Sequence, residues 1–233
     1  MQAFIICGYG IPKDIAHDVN YTTYLHLVFN FIYQQEANQE AIIVPCGGPT
    51  KCDPPFEDTE AETIINYLME LSQRQEVAEK TNKWKFIPED KSLSTLENLL
   101  FARKILDDVA PIEKITIFCE KTREKRVEAF ANDIFDQDVS ISAIDFDISK
   151  NRYLDPNTLN KKEALALKEG LWTLQEPERI KKHHDFFQKK IGFLRRRQSE
   201  GLSHVDAVKE WFENHQDVMR ELMPDHPIFR GLS

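Results

Sequence analysis

Short apolar runs recur through the first part of the chain, each followed by a stretch whose apolar residues fall three and four apart. The runs are Ala3–Cys7 (AFIIC), Ala41–Val44 (AIIV), Trp84–Ile87 (WKFI), Ile115–Phe118 (ITIF) and Val139–Ile144 (VSISAI). Runs this short, apolar with little alternation, predict strands of a sheet covered on both faces. The intervening stretches Tyr24–Ile32, Thr59–Leu71, Leu96–Leu106 and Thr122–Phe135 predict helices. In the second of them Ile64, Ile65, Leu68 and Leu71 share one face. Strand and helix in alternation imply right-handed crossovers and a parallel sheet. The expected fold class is therefore α/β, a three-layer Rossmann-like core with about five parallel strands over residues 1–148. From residue 149 to 233 the pattern turns wholly helical, over Asn157–Leu174, Pro177–Gln198 and Ser203–Leu222. This predicts a C-terminal helical extension packed on the core, with Pro177 in a first helical turn and Ser203 as an N-cap.

In an open parallel sheet a ligand sits beyond the carboxyl ends of the strands, where strand order reverses. The unusual residues fall at such ends: Gly8-Tyr9-Gly10 after the first strand, Gly47-Gly48 after the second, Glu89-Asp90 after the third. Glycine there serves either a turn or a close approach of backbone to a ligand. Gly8 and Gly10 lack the third glycine and helix start of a dinucleotide fingerprint, and no Walker lysine follows any glycine-rich loop. In PEDKSLSTLENLLFA, Ser94 and Glu97 fit a capping box. That leaves Glu89, Ser92, Thr95 and Asn98 over, as polar groups at a helix start that suit an anionic or strongly polar ligand.

Composition narrows the function class. The 233 residues are 41% hydrophobic with a formal charge of -9, a balance that argues against a nucleic-acid binder. No apolar run approaches the length of a membrane span, about 18 residues. MQAFIICGYG lacks the basic and long apolar parts of a secretory leader. Cys7, Cys46, Cys52 and Cys119 show no paired metal spacing and read as free thiols, so a cytoplasmic setting and no metal are expected.

Glu89-x-x-Ser92-x-x-Thr95-x-Glu97-Asn98 resembles the signature E-x-x-S-x-x-T-x-E-N of the YdcF-like family, which also includes the SanA and ElyC envelope proteins. Gly47-Gly48 looks like that family's second-strand glycine pair, and Thr59-Glu60-Ala61 like its S-E-A at the next helix start. Phe118–Val127 (FCEKTREKRV) looks like its V-T-S-x-x-H-x-x-R-A after the fourth strand. The resemblance spans about Ala3 to Ile144. It implies a Rossmann-like domain of unassigned function, linked in some members to S-adenosylmethionine. It implies Glu60 or Glu89 as partner of hydroxyls or an amine, Gly47, Gly48, Thr95 and Asn98 as a polar floor, and Arg126 as the cation facing a ligand anion. The sequence departs from the family in placing Arg123 where a histidine is usual and Glu120 where a serine is usual.

The expected partner is a small molecule, anionic or nucleoside-bearing. The alternatives are a transferase or hydrolase of phosphate- or nucleotide-bearing substrates, with Glu89 as base and Arg123 or Arg126 as charge stabiliser, and a non-catalytic interaction module using the C-terminal helices. No G-x-S-x-G elbow supports a hydrolase triad. His183-His184 on a helix point about 100° apart and predict a solvated face rather than a metal site. Lys189, Lys190 and Arg195–Arg197 predict a solvated face or an acidic partner within the chain, with a phosphate contact as the alternative. Trp172, Trp211, Phe186, Phe187 and Phe212 predict packing.

Overall fold

The computed structural model describes residues 1–9, 15–109, 111–145 and 156–229. Contacts divide the chain into two compact units. The first is Met1–Lys51 with Pro55–Phe146, and the second is Cys52–Pro54 with Asp147–Ser233. The sequence-based boundary at 148/149 falls outside the described residues.

The first unit is α/β. Its strands β1 (Gln2–Ile6), β2 (Ala41–Pro45), β3 (Trp84–Phe86), β4 (Lys114–Glu120) and β5 (Val139–Ile144) form one all-parallel sheet in the order β3-β2-β1-β4-β5. Helices α1 (Val19–Glu36), α2 (Glu60–Ser72), α3 (Gln75–Thr81), α4 (Thr95–Asp107) and α5 (Glu124–Ile134) connect them. Side chains alternate across a strand, and this sorts the core. Phe4, Ile6, Ile43 and Phe118 pack with Tyr21, Leu25, Val28 and Ile32 of α1 and with Ile64 and Leu68 of α2. Ala3 and Ile5 point to the other face, where α4 touches β1 and α5 touches β4 and β5. Every β1 residue from Ala3 to Ile6 is wholly buried, as a central strand covered on both sides requires.

The chain runs outward from β1 to β2 and β3, then returns to β4 on the opposite side. Strand order therefore reverses between β1 and β4, and the crevice that this creates lies at their carboxyl ends. One step past the last pairs of β1, Cys46 and Cys7 follow β2 and β1 and stand abreast of Cys119 within β4, with Cys46 and Cys7 bonded through their amides to Ile6 and Phe118. All three are buried free thiols. Burial pushes the Cys7 thiol up to about 12 and raises the Cys46 and Cys119 thiols well above their usual range, so these are packing residues rather than nucleophiles.

Three local expectations change. Helix α1 begins before Tyr24 and is capped by Asp18, which accepts from the Tyr21 amide. Helix α3 has no counterpart in the sequence reading, since its QEVAEKT carries only a short apolar signal and no side-chain cap. The helix expected from Thr122 starts as a 3-10 turn, Lys121–Arg123, before α5 proper.

The second unit contains α6 (Pro156–Leu174), α7 (Pro177–Ser199) and α8 (His204–Leu222). Pro177 occupies the first turn of α7, and Ser203 caps α8 by accepting from the Asp206 amide. Trp172, Phe186, Leu194 and Trp211 form its buried core, with Phe187 and Phe212 packed against them. The basic run on α7 is paired with acids: Arg197 with Glu200 and Glu210, Arg196 with Glu200, and Lys189 with Glu221. The solvated face expected for His183 is not observed. His183 is buried beside Glu169 of α6, because α6 covers that side of α7.

Candidate functional site

The candidate residues meet at the carboxyl end of β1. Glu60 opens α2, behind the N-cap Thr59, and its side chain turns inward. Its Oε1 accepts from the Tyr21 hydroxyl at 3.0 Å. The carboxylate fits only because its neighbours have no side chains. A Cβ on Gly8 would stand 2.2 Å from Glu60 Oε2 and 2.8 Å from the Cys46 carbonyl oxygen. A Cβ on Gly47 would meet the Glu60 Cβ at 2.6 Å, and Gly47 has φ +140, a conformation that favours glycine. Of the two glycines expected to shape a ligand floor, Gly47 thus helps Gly8 to seat a carboxylate of the protein itself, while a Cβ on Gly48 would meet the Ser92 carbonyl oxygen at 2.7 Å. Gly10 lies outside the described residues.

Glu89 stands two residues past Ile87, in a lone bridge to Cys46 that prolongs the β2–β3 ladder. Its amide donates to Pro45 and its carbonyl accepts from Gly47, both at 2.9 Å. The side chain folds back on its own loop, Oε1 accepting from the Lys91 and Ser92 amides at 2.9 Å each. Its Oε2 is buried and has no hydrogen-bond partner among the described residues. Burial raises this carboxyl above its usual range, with the Ser92 side chain and the two amides pulling the other way.

The polar cluster left over by the cap is largely tied up within the fold. Ser92 is 1% exposed, its carbonyl accepts from Gly48 at 2.7 Å, and its hydroxyl accepts from Asn98 Nδ2 at 2.5 Å. Asn98 is therefore a brace between α4 and the Glu89 loop. Thr95, the first residue of α4, is buried beside it. The cap also differs in detail. Ser94 accepts from the Glu97 amide as expected, but the Glu97 carboxylate also reaches the Leu93 amide at 2.6 Å, one residue before the N-cap.

Across the switch point, β4 delivers the cations. Glu120 accepts from the amide and hydroxyl of Thr122, a local turn that sets Arg123 at the start of α5. Arg123 Nη1 donates to the Gly8 carbonyl at 2.5 Å, and its guanidinium lies 5.7 Å from the Tyr9 ring centre. Tyr9 in turn stacks on Tyr21. Arg126 is buried in the first turn of α5. The charges of Arg123, Arg126, Glu60 and Glu89 all reach the Cys7 thiol, the arginines lowering its pKa and the glutamates raising it. Four ionisable side chains from three segments thus lie near one strand end.

Sequence reasoning missed the tyrosines. Tyr24 donates to the Cys7 carbonyl at 2.9 Å, while Tyr21 holds Glu60. The signal was present, since Tyr21 and Tyr24 are three apart on an otherwise apolar face, and a buried tyrosine hydroxyl needs a partner. Among the described residues no group of three His, Cys, Asp or Glu side chains could hold a metal ion, and no helix is long and apolar enough to cross a membrane.

No family model, curated protein or solved structure matches the chain.

Proposed function

We propose that the first unit is a cytoplasmic, YdcF-like ligand-binding domain whose carboxyl edge, between β1 and β4, takes a small polar molecule that is anionic or nucleoside-bearing. The observation that carries this reading is the placement of Glu60 against Gly8, Arg123 on the Gly8 carbonyl and Glu89 bridged to Cys46, with Arg126 in the first turn of α5, beside the point where strand order reverses. Charges buried together in such a crevice are costly unless they do work there, which supports reading the cluster as a site. Arg126 supplies the cation for a ligand anion. Glu89 Oε2, buried and without a partner among the described residues, accepts a hydroxyl or amine proton from the ligand. The Glu60 carboxylate holds the floor in shape through Tyr21. S-adenosylmethionine is the first candidate that the YdcF-like resemblance supplies.

A second reading, transfer or hydrolysis on a phosphate- or nucleotide-bearing substrate, is favoured by the same Glu89. A carboxyl raised by burial, with one oxygen open, suits a general base.

The test is a thermal-shift series on the full chain with S-adenosylmethionine, AMP, ATP and glucose 6-phosphate. A true ligand at a hundred times its Kd stabilises by about 2.7 kcal/mol. The expected result is stabilisation by at least one of these, reduced in Arg126→Gln and Glu89→Gln. Equal shifts in native and variant chains would remove the site from this edge, and product analysis on the stabilising compound separates binding from turnover.

A further inference from the structure

The second unit holds a buried ionisable cluster that the proposed site does not use. Glu169 of α6 and His183 of α7 are both buried, with Oε1 and Nδ1 3.2 Å apart. His226, in the turn that follows α8, is also buried, its ring edge-on to Trp172 at 4.7 Å and against Phe229 at 6.3 Å. Met223, Ile228 and Phe229 join the same apolar cluster as Trp172 and Trp211. The ring therefore sits at the centre of the contacts that hold this turn to its unit.

The proton count on His226 decides what the ring tolerates. Its Nδ1 accepts from the Ile228 amide at 3.3 Å, so the neutral ring carries its hydrogen on Nε2. Nε2 is buried with no partner among the described residues. A second proton must go onto Nδ1, where it would face the Ile228 N–H, donor against donor. Protonation thus removes the bond that closes the turn and leaves a cation in an aromatic pocket.

We propose that His226 is an acid-released latch: its protonation frees the turn Met223–Phe229 from its packing on Trp172, locally and reversibly.

The surrounding charges set the range. Burial holds the ring below histidine's ordinary value; Glu169 of α6 and Asp225 of the turn oppose this, while Arg179 and His183 of α7 reinforce it. Arg179 lies over Trp172 at 4.1 Å and within 3.6 Å of Asp225. From α8, Arg220 lies over Phe229 at 5.0 Å and adds a further cation. Because the latched ring has the depressed pKa, the released turn binds the proton better. Opening is therefore favoured as pH falls below about 6.5, by up to tenfold per pH unit until the latched value is reached.

Hydrogen exchange of the full chain at pH 7.5, 6.5 and 5.5, corrected for intrinsic rates and read by mass spectrometry, tests this. The peptide covering 223–229 should lose protection on going from pH 6.5 to 5.5, by up to about tenfold, while β1 and β4 peptides hold theirs. In His226→Asn the amide oxygen can still accept from Ile228 but cannot titrate, so protection of the turn should be flat with pH. Unchanged protection of the native turn, the same pH dependence in His226→Asn, or simultaneous loss in β1 and β4 would each overturn the latch. Should His226→Asn leave the turn open at pH 7.5, the His226 ring titration followed by NMR in the native chain decides. A value at or above the ordinary one overturns the proposal, and a lower one upholds it.

Discussion

Gly8→Ala is the sharpest probe of how the carboxyl edge is built. The new methyl would lie 2.2 Å from Glu60 Oε2 and 2.8 Å from the Cys46 carbonyl oxygen. The first contact can be relieved by moving a side chain; the second involves backbone in the middle of the sheet and cannot. Overpacking of this kind costs about 1–3 kcal/mol. Displacing Glu60 also breaks its 3.0 Å bond from Tyr21 and leaves a buried polar group unsatisfied, a further 1–3 kcal/mol or so. The expected loss is about 2–6 kcal/mol, which for a unit of this size is roughly 6–18 °C in Tm. Urea and thermal unfolding of the native chain, of Gly8→Ala, of Glu60→Ala and of the double variant measure it. Since Glu60 is one of the two obstacles, the double variant should lose at least about 1 kcal/mol less than the sum of the single losses. Additive losses would mean that Gly8 is not a seat for Glu60, and the reasoning about the glycines would fail.

Other outcomes follow from the same geometry. Ser94→Ala should cost about 0.5–2 kcal/mol through loss of the α4 cap, whereas Asn98→Ala should cost about 1–3 kcal/mol by removing the buried bond that braces α4 to Ser92; denaturant midpoints compare them. Glu89 has a folded pKa raised above its unfolded value of about 4.3, so its contribution is full below that value and lost as pH rises through the folded one. Glu89→Gln should therefore gain in Tm relative to the native chain as pH is raised from 4 to 7, and a parallel pair of pH–Tm curves would refute this. Arg123→Lys keeps the charge but loses the Nη1 bond to the Gly8 carbonyl and the guanidinium's place over the Tyr9 ring; a loss of about 1–3 kcal/mol is expected from the thermal transition. Arg123→His should add a titration near 6.5 to ligand affinity if the position faces the ligand, and none if it serves only Gly8.

The layering of the first unit was legible because its strands are short apolar runs and its helices carry clear three-four spacing. The five strands lie where AFIIC, AIIV, WKFI, ITIF and VSISAI predict them. Less could be read of the site. The capping residue Ser94 was visible in its motif, but the direction of Asn98 was not: nothing local says whether an amide at the fourth helical position faces a crevice or, as here, a buried serine. Nor could spacing show that Gly8 and Gly47 make room for Glu60, because that contact joins residues far apart in sequence. The burial of His183 was hidden for the same reason. A pair of adjacent histidines has a periodic default, and only the covering helix α6 overrides it.

The account's central claim is that the charges at the end of β1 bind a ligand. Isothermal titration of the native chain with S-adenosylmethionine, AMP, ATP and glucose 6-phosphate tests it most directly when repeated on Arg126→Gln, Glu89→Gln and the control Arg103→Gln, whose side chain pairs with Asp107 and Asp136 on α4 and beyond it. The predicted result is saturable binding of at least one compound by the native and control chains, weakened about tenfold or more in each of the other two variants. Binding that is the same in all four chains, or no binding of any of the four compounds, would contradict it.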